Sequence, residues 1–197
     1  MSALPLPLPT PSQTVGPFYG YALPFPGGGD VAPAGHPDTV TVHGHVYDGA
    51  GLPVPDALLE FWQTAPDGSR PRASGSLRRD PVTGGYLGRN GVDFTGFGRV
   101  ATDADGHYAL RTLAPGGAPY LAVIVFARGL MRHLHTRAYL NHPTEATDDP
   151  LLASLEPERR ATLLAAAEGE RTHRFDIRLQ YDGTHEETVF LDFDASH

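Results

Sequence analysis

The sequence predicts an all-β protein, a β-sandwich with long loops, an extended N-terminal arm and one short helical segment. Short segments that alternate between apolar and polar residues recur along the chain, and turn-forming residues separate them. Gly and Pro, with 23 and 19 copies, make up more than a fifth of the 197 residues. This composition favours turns and irregular loops over a helical bundle.

The first 38 residues differ in composition from the rest of the chain. Residues 1–38 are rich in Pro and Gly, and the run Leu4-Pro5-Leu6-Pro7-Leu8-Pro9 should lie extended because Pro lacks a backbone donor. We predict that they form an arm that contributes to a partner interface, with the sandwich domain over residues 39–197. The arm has no basic region typical of a signal peptide, and no apolar run approaches the roughly 20 residues that span a bilayer. These features favour a cytoplasmic protein.

Eight segments have the period or composition of strands. They lie at residues 40–46, 58–64, 98–102, 108–113, 120–127, 133–140, 175–181 and 189–193. The sequence Asp103-Ala104-Asp105-Gly106 predicts a hairpin between the third and fourth segments. The fifth, YLAVIVFA, is apolar throughout and predicts a strand buried on both faces. Residues 66–93, rich in Gly, Arg, Asp and Pro, are predicted to be loop.

The helical segment is predicted near residue 150. Asp149 and Pro150 are a suitable N-cap and first helical residue, and Glu156-Pro157 offers a second start. The following residues are rich in Ala and Leu as far as Ala167, and Gly169 is expected to end the helix.

Composition also limits the chemistry. The chain has no cysteine, which excludes disulfides, thiolate metal sites and a cysteine nucleophile. Its net charge of −8 gives no sign of the clustered Lys and Arg that bind nucleic acid.

Two His-x-His pairs, His43/His45 and His133/His135, are candidate metal ligands. Residues i and i+2 of a strand share a face, so either pair could chelate a metal, and two such strands could form a four-histidine site. The alternative is that these histidines lie on polar faces without a metal. Tyr86, in a Gly-rich loop, could ligate ferric iron as tyrosinate or could simply be a packing residue.

Arg128 follows the apolar run at residues 120–127, where a core strand should emerge. A guanidinium at such a position can bind a carboxylate with two parallel hydrogen bonds. A surface salt bridge is the competing interpretation.

Several motifs, taken in order, resemble those of the intradiol ring-cleaving dioxygenases. They are TPSQTVGPFY at 10–19, GHVYDG at 44–49, EFWQ at 60–63, FTGFGR at 94–99, TDADG at 102–106, FARG at 126–129, HLHTR at 133–137 and ETVFLDF at 187–193. The last three, with the chain length, are similar to the iron-free alpha subunits of heteromeric members.

The resemblance implies that this chain does not hold the iron. The catalytic subunits bind Fe(III) with two Tyr and two His, and their His pair falls where this chain has Tyr120 and Ala122. One ligand Tyr would fall near Tyr86, and the second Tyr has no counterpart. His133 and His135 lie one strand later than the ligand pair, and His43 and His45 match no ligand of the family.

The resemblance further implies a working assembly with an iron-bearing beta subunit, in alpha–beta pairs that form a larger oligomer. Such an assembly uses O2 to open the ring of protocatechuate between its hydroxyls, giving 3-carboxy-cis,cis-muconate. Thr14, Gly16, Pro17 and Arg128 would border the substrate at the subunit interface, and no catalytic residue or metal ligand would lie in this chain. One departure is Phe18, where related alpha subunits have Tyr.

Two other interpretations remain open from the sequence. One is a self-sufficient intradiol dioxygenase with an altered iron site, which would bind metal as an isolated chain. The other is a non-enzymatic β-sandwich interaction module, which would need no iron-bearing partner.

Overall fold

The architecture is described from a computed structural model over residues 19–71, 77–89, 91–140 and 149–193. Three short helices occur in this part of the chain, α1 (Tyr19–Ala22), α2 (Pro150–Ser154) and α3 (Pro157–Ala161). The strands are β1 (Thr39–Tyr47), β2 (Leu58–Trp62), β3 (Leu77–Arg79), β4 (Tyr86–Arg89), β5 (Phe97–Ala101), β6 (His107–Leu113), β7 (Tyr120–Phe126), β8 (Leu134–Tyr139), β9 (Ala166–Gly169), β10 (Thr172–Arg174) and β11 (Ile177–Arg178).

Two sheets form the predicted sandwich. In the first, β1 pairs antiparallel with β6 along one side and parallel with β10 and β11 along the other, and β9 extends beyond β10. The second has the order β5-β2-β7-β8, with every neighbour antiparallel. Among the described residues no helix is long and apolar enough to cross a bilayer.

The main core lies between these sheets. The first sheet contributes side chains such as Val42, Val46 and Leu110, and the second contributes Phe61 and Val123. Every second residue of β1 is buried, as its alternating sequence predicts. A smaller cluster beneath α2 and α3 contains Tyr139, Leu152, Leu163 and Val189.

The N-terminal part that the structure describes packs on this sandwich. Val31 is buried in the main core, and its backbone N–H donates to the carbonyl of Arg111 in β6. The division into an arm at 1–38 and a domain at 39–197 stays a proposal.

A two-stranded hairpin interrupts the region predicted as loop at 66–93, where β3 pairs with β4. Asp80 forms its turn, because one carboxylate oxygen accepts from the backbone N–H groups of Val82 and Thr83. Gly84 takes the positive φ of 71° that the turn requires. The strands are too short and polar to show alternation in the sequence, so the loop prediction was wrong here.

The turn at Asp103–Gly106 is present, but the hairpin predicted around it is not. The Gly106 N–H donates to the Asp103 carbonyl, as in a tight turn. Its flanking strands pair elsewhere, β5 with β2 and β6 with β1. The turn therefore carries the chain from one sheet to the other, because each strand buries its apolar face against the opposite sheet.

Strand β7 is not fully buried on both faces, contrary to the prediction. Leu121, Val123 and Val125 are inaccessible between the sheets, whereas the alternate residues from Tyr120 to Phe126 are only half-buried. The apolar run of β7 thus has one face in the core and an outward face whose side chains are partly exposed.

The predicted helix up to Ala167 divides into two short helices and a strand. Asp149 caps α2 by accepting from the N–H groups of Leu151 and Leu152, and Pro157 begins α3, as expected. The chain then leaves the helix because Leu163 and Ala165 hydrogen-bond the backbone of Tyr139 in β8. Residues 166–169 form β9 instead of continuing the helix.

The last two predicted strands are shorter than expected. Within residues 175–181, only the segment β11 is a strand, preceded by β10. The predicted strand at 189–193 is reduced to one bridge, between Leu191 and His135 of β8. Apolar and polar residues alternate in both segments. Their strands are short because few of their backbone groups pair with a neighbouring strand.

Candidate functional site

Arg128 lies just beyond the end of β7, as the sequence predicted. Its Nε and Nη2 atoms lie 2.7 and 2.6 Å from the same oxygen, Oδ2 of Asp56. The Arg128 side chain is still 72% exposed. An ion pair with Asp56 therefore orients the guanidinium without withdrawing it from solvent.

The first described residue of the chain packs beside this ion pair. Tyr19 is buried, and its ring centroid lies 6.4 Å from that of Phe126, the last residue of β7. Burial raises the pKa of the Tyr19 phenol, the Asp56 carboxylate raises it further and Arg128 opposes this effect. The Tyr19 hydroxyl has no hydrogen-bond partner among the described residues.

Thr14, Gly16 and Pro17 lie outside the described residues, and so does Phe18. Their place at the substrate stays a prediction. Tyr19 is two positions after Pro17 in the sequence, so the chain that leads from this segment enters the fold at the Arg128 end of β7.

Tyr120 and Ala122, where the resemblance places the family's histidine ligands, lie on the outward side of β7. Ala122 offers no ligand atom. The Tyr120 ring has the Arg137 guanidinium 4.2 Å from its centroid, on the neighbouring strand β8. A cation held over this ring disfavours a metal cation at the same place.

Tyr139 and Asp149 complete the surroundings of Arg137. Arg137 Nη1 donates to the Tyr139 hydroxyl at 3.2 Å, and that hydroxyl donates to Asp149 Oδ2 at 2.8 Å. Burial raises the pKa of Tyr139 above its ordinary value, the Arg137 hydrogen bond lowers it and the Asp149 hydrogen bond raises it. The hydroxyl is therefore engaged with Arg137 and Asp149 and favours its neutral form.

Tyr86, the third candidate position, is also engaged by a cation. Its hydroxyl accepts from Arg79 Nη2 at 3.1 Å, and the Arg79 guanidinium lies 4.8 Å from its ring centroid. Within the part of the chain that the structure describes, no three His, Cys, Asp or Glu side chains are grouped to hold a metal ion. The residues at the ligand positions do not fit ferric iron.

The two His-x-His pairs do not meet, so the four-histidine interpretation was wrong. His43 and His45 lie on β1 in the first sheet, whereas His135 lies on β8 in the second and His133 immediately precedes that strand. Instead, His43 and His45 approach His107 of β6, with ring centroids 5.6 and 5.0 Å from it.

The second sheet presents a partly uncovered surface, which we call the outer face and define by Trp62, Ala122, Ile124 and Arg137. Trp62, Ala122 and Arg137 are direct neighbours across β2, β7 and β8. Trp62 is 49% exposed and its ring contacts that of Phe97 at a centroid distance of 4.4 Å. Large exposed aromatic groups are typical of interfaces between proteins.

Sequence reasoning missed Asp56, Arg137 and His107. No local pattern marks Asp56, because it meets Arg128 only through the fold. The His-x-His spacing pointed to His43 and His45, but His107 joins them because β1 and β6 place His45 and His107 opposite one another.

Known proteins share both sequence and fold with this chain. The family profile described as "Dioxygenase" matches residues 29–125. The protocatechuate 3,4-dioxygenase alpha chain of Burkholderia cepacia is 38% identical over 205 residues, covering 93% of this chain and 96% of that protein. The corresponding alpha chain of Pseudomonas putida is 35% identical, with the same coverage of both proteins.

Solved structures agree at the level of the fold. The dioxygenase domain of a carbohydrate-binding fusion protein from Streptomyces sp. SirexAA-E has a TM-score of 0.55 and 25% identity, covering 81% of this chain and 86% of that one. Catechol 1,2-dioxygenase from Pseudomonas arvilla C-1 has a TM-score of 0.51 and 19% identity over 75% of this chain and 54% of that one.

The β-sandwich and these matches define the class as the intradiol dioxygenases. Within that class, the chain belongs to the family of protocatechuate 3,4-dioxygenase alpha chains.

Proposed function

We propose that this chain is the iron-free alpha subunit of a heteromeric protocatechuate 3,4-dioxygenase. The assembly cleaves the ring of protocatechuate between its hydroxyls with O2 and gives 3-carboxy-cis,cis-muconate. The observation that carries this proposal is the combination of an exposed, oriented Arg128 with ligand positions, Tyr120 and Ala122, that do not fit iron. Fe(III) then belongs to a partner beta subunit.

The proposed role of Arg128 is to bind the ring carboxylate of the substrate. A carboxylate that leaves water for a pocket needs a partner for its charge, and a guanidinium stays protonated at any working pH. Asp56 contacts the Nε and Nη2 atoms through one oxygen, while most of the Arg128 side chain remains exposed. An arriving carboxylate can therefore contact the guanidinium without displacing the whole ion pair.

Thr14, Gly16 and Pro17 are proposed to border the same pocket. The support is the position of Tyr19, which follows this segment and packs on Phe126 two residues before Arg128. In this proposal the alpha chain binds and orients the substrate, while the beta subunit supplies the metal.

The outer face is proposed as part of the surface that meets the beta subunit. It includes Ala122 and Ile124 of β7, the strand that leads to Arg128, and its Trp62 is half-exposed. An obligate interface of this kind often buries more than about 2,000 Å². Alpha–beta pairs would place Arg128 near the partner's metal.

The proposal is tested by measuring iron content and ring cleavage for the chain alone, for the iron-bearing partner alone and for the co-expressed assembly. We expect no stoichiometric iron in the isolated chain and full activity only in the assembly. About one iron per isolated chain, with tyrosinate-to-iron colour, would indicate a self-sufficient enzyme. If the iron-bearing partner is equally active on protocatechuate with and without this chain, then this chain is an interaction module.

A further inference from the structure

Three histidines on the outward side of the first sheet have no role in the proposed function. His43 and His45 lie on β1, and His107 lies on the adjacent strand β6. They belong to the sheet opposite the one that carries Arg128. The ring nitrogens His43 Nδ1 and His107 Nε2 are 3.4 Å apart.

Carboxylates lie near the other nitrogen of both rings, within hydrogen-bond distance for His43 and beyond it for His107. His43 Nε2 is 2.9 Å from Glu168 Oε2, and His107 Nδ1 is 3.9 Å from Asp103 Oδ2. A carboxylate at one imidazole nitrogen favours the proton at that nitrogen, which leaves a lone pair on the other. The Glu168 contact thus leaves a lone pair on His43 Nδ1, which faces His107 Nε2 at 3.4 Å. A metal bound by both nitrogens would replace the proton between them.

The separation of these two nitrogens equals that of two ligands of one metal. Zinc–imidazole bonds are about 2.0–2.1 Å long, and a tetrahedral angle between two such bonds places the nitrogens about 3.3–3.4 Å apart. The observed separation of 3.4 Å matches this value. Neutral imidazole is a preferred ligand of Zn²⁺ and Cu²⁺.

We propose that His43 Nδ1 and His107 Nε2 chelate a transition-metal dication, Zn²⁺ or Cu²⁺, with water completing the coordination. Glu168 is a positioning residue, because it orients the His43 ring and does not touch the metal. We assign no metal bond to His45, whose buried Nδ1 lies 3.9 Å from Asp176 and has no hydrogen-bond partner among the described residues. The pair lies on β1 and β6, in the sheet opposite the one that carries Arg128.

The experiment titrates metal-free, untagged full chain with Zn²⁺ by calorimetry and with Cu²⁺ by electron paramagnetic resonance. The expected result is one site per chain and a copper spectrum with hyperfine splitting from two imidazole nitrogens. His43→Gln and His107→Gln should each weaken binding by at least about 10-fold and leave splitting from one nitrogen. Glu168→Gln should weaken binding about 10-fold while the two-nitrogen pattern is retained.

Two controls locate the site. His45→Gln changes a histidine on the same surface, and the double variant His133→Gln/His135→Gln removes the His-x-His pair associated with the other sheet. Both should bind Zn²⁺ with the affinity of the wild type. Absence of binding in the wild type, unchanged affinity in both His43→Gln and His107→Gln, or loss only in the His133/His135 variant would each overturn the proposal.

Discussion

Arg128 and Asp56 form an ion pair in which Nε and Nη2 of the guanidinium lie 2.7 and 2.6 Å from the single oxygen Oδ2. The residues are 72 positions apart in the chain. Asp56 lies two residues before β2, whereas Arg128 lies two residues after β7, and these strands are antiparallel neighbours. Strand pairing therefore brings the Asp56 carboxylate to Arg128, and the carboxylate orients the guanidinium.

Replacing Arg128 with Leu is expected to reduce activity on protocatechuate selectively. A charge-assisted hydrogen bond contributes roughly 1.5–3 kcal/mol. Its loss from the transition state should lower kcat/KM about 10- to 100-fold. Catechol, which lacks the carboxylate, should be affected much less. The measurement is steady-state kinetics of the co-expressed assembly on both substrates.

Arg111→Leu is the matched control for this change. Arg111 is also exposed and ion-paired, with Asp30, but it lies on β6 of the other sheet. It should leave both activities unchanged. An equal loss on both substrates for Arg128→Leu would point to pocket shape instead of carboxylate recognition, and no loss would remove Arg128 from the site.

Trp62→Glu is expected to weaken assembly with the beta subunit. The change places a charge on the outer face, where burial without a partner charge is costly. The measurement is the fraction of alpha–beta complex by analytical ultracentrifugation over a range of concentrations. Leu52→Glu, at another exposed apolar residue on a turn, should have no effect. Equal assembly of both variants would exclude Trp62 from the interface.

Without a partner, the wild-type chain is expected to self-associate, because its outer face and apolar N-terminal sequence would be uncovered. Light scattering of the purified chain tests this expectation. A stable monomer across the accessible concentration range would contradict an obligate partnership.

Tyr139→Phe is expected to lower the free energy of unfolding by about 1–3 kcal/mol, because it leaves a buried carboxylate without one of its donors. The Tyr139 hydroxyl donates to Asp149, whose other oxygen caps α2. Chemical denaturation measures the change. Tyr181→Phe is the control, since that residue is exposed and its hydroxyl donates to the nearby carbonyl of Gly183. Its effect should be within about 0.5 kcal/mol.

Stability is expected to fall as the pH rises above about 10, the ordinary pKa of an unfolded tyrosine. Burial raises the pKa of both Tyr108 and Tyr139 in the folded chain. Above that pH the unfolded chain releases protons that the folded chain retains, so the free energy of unfolding decreases until the folded pKa is reached. Below that pH the contribution is fully present.

Urea denaturation across the alkaline range tests this dependence. Tyr139→Phe should have a shallower decrease than the wild type, whatever its stability at neutral pH. An identical slope in both proteins would show that Tyr139 does not contribute to the alkaline loss.

Local sequence determined which segments of this protein are strands in the core. Alternation of apolar residues predicted β1 and β6, and the apolar run predicted β7, since a side chain on a strand faces alternate sides of the sheet. The Asp149-Pro150 pair likewise predicted the start of α2. The order of short motifs, together with Tyr120 and Ala122 at the ligand positions, predicted the family and a chain without its own iron site.

Tertiary structure decided where those segments pair and which side chains meet. The turn at Asp103–Gly106 joins two sheets because β5 and β6 bury their faces on opposite sides of the core. The alternation of apolar residues within each strand does not predict which sheet the strand joins. The helix after Pro157 ends early because Leu163 and Ala165 find backbone partners at Tyr139. Arg128 with Asp56, and His43 with His107, come together through strand register alone, so only the folded chain reveals them.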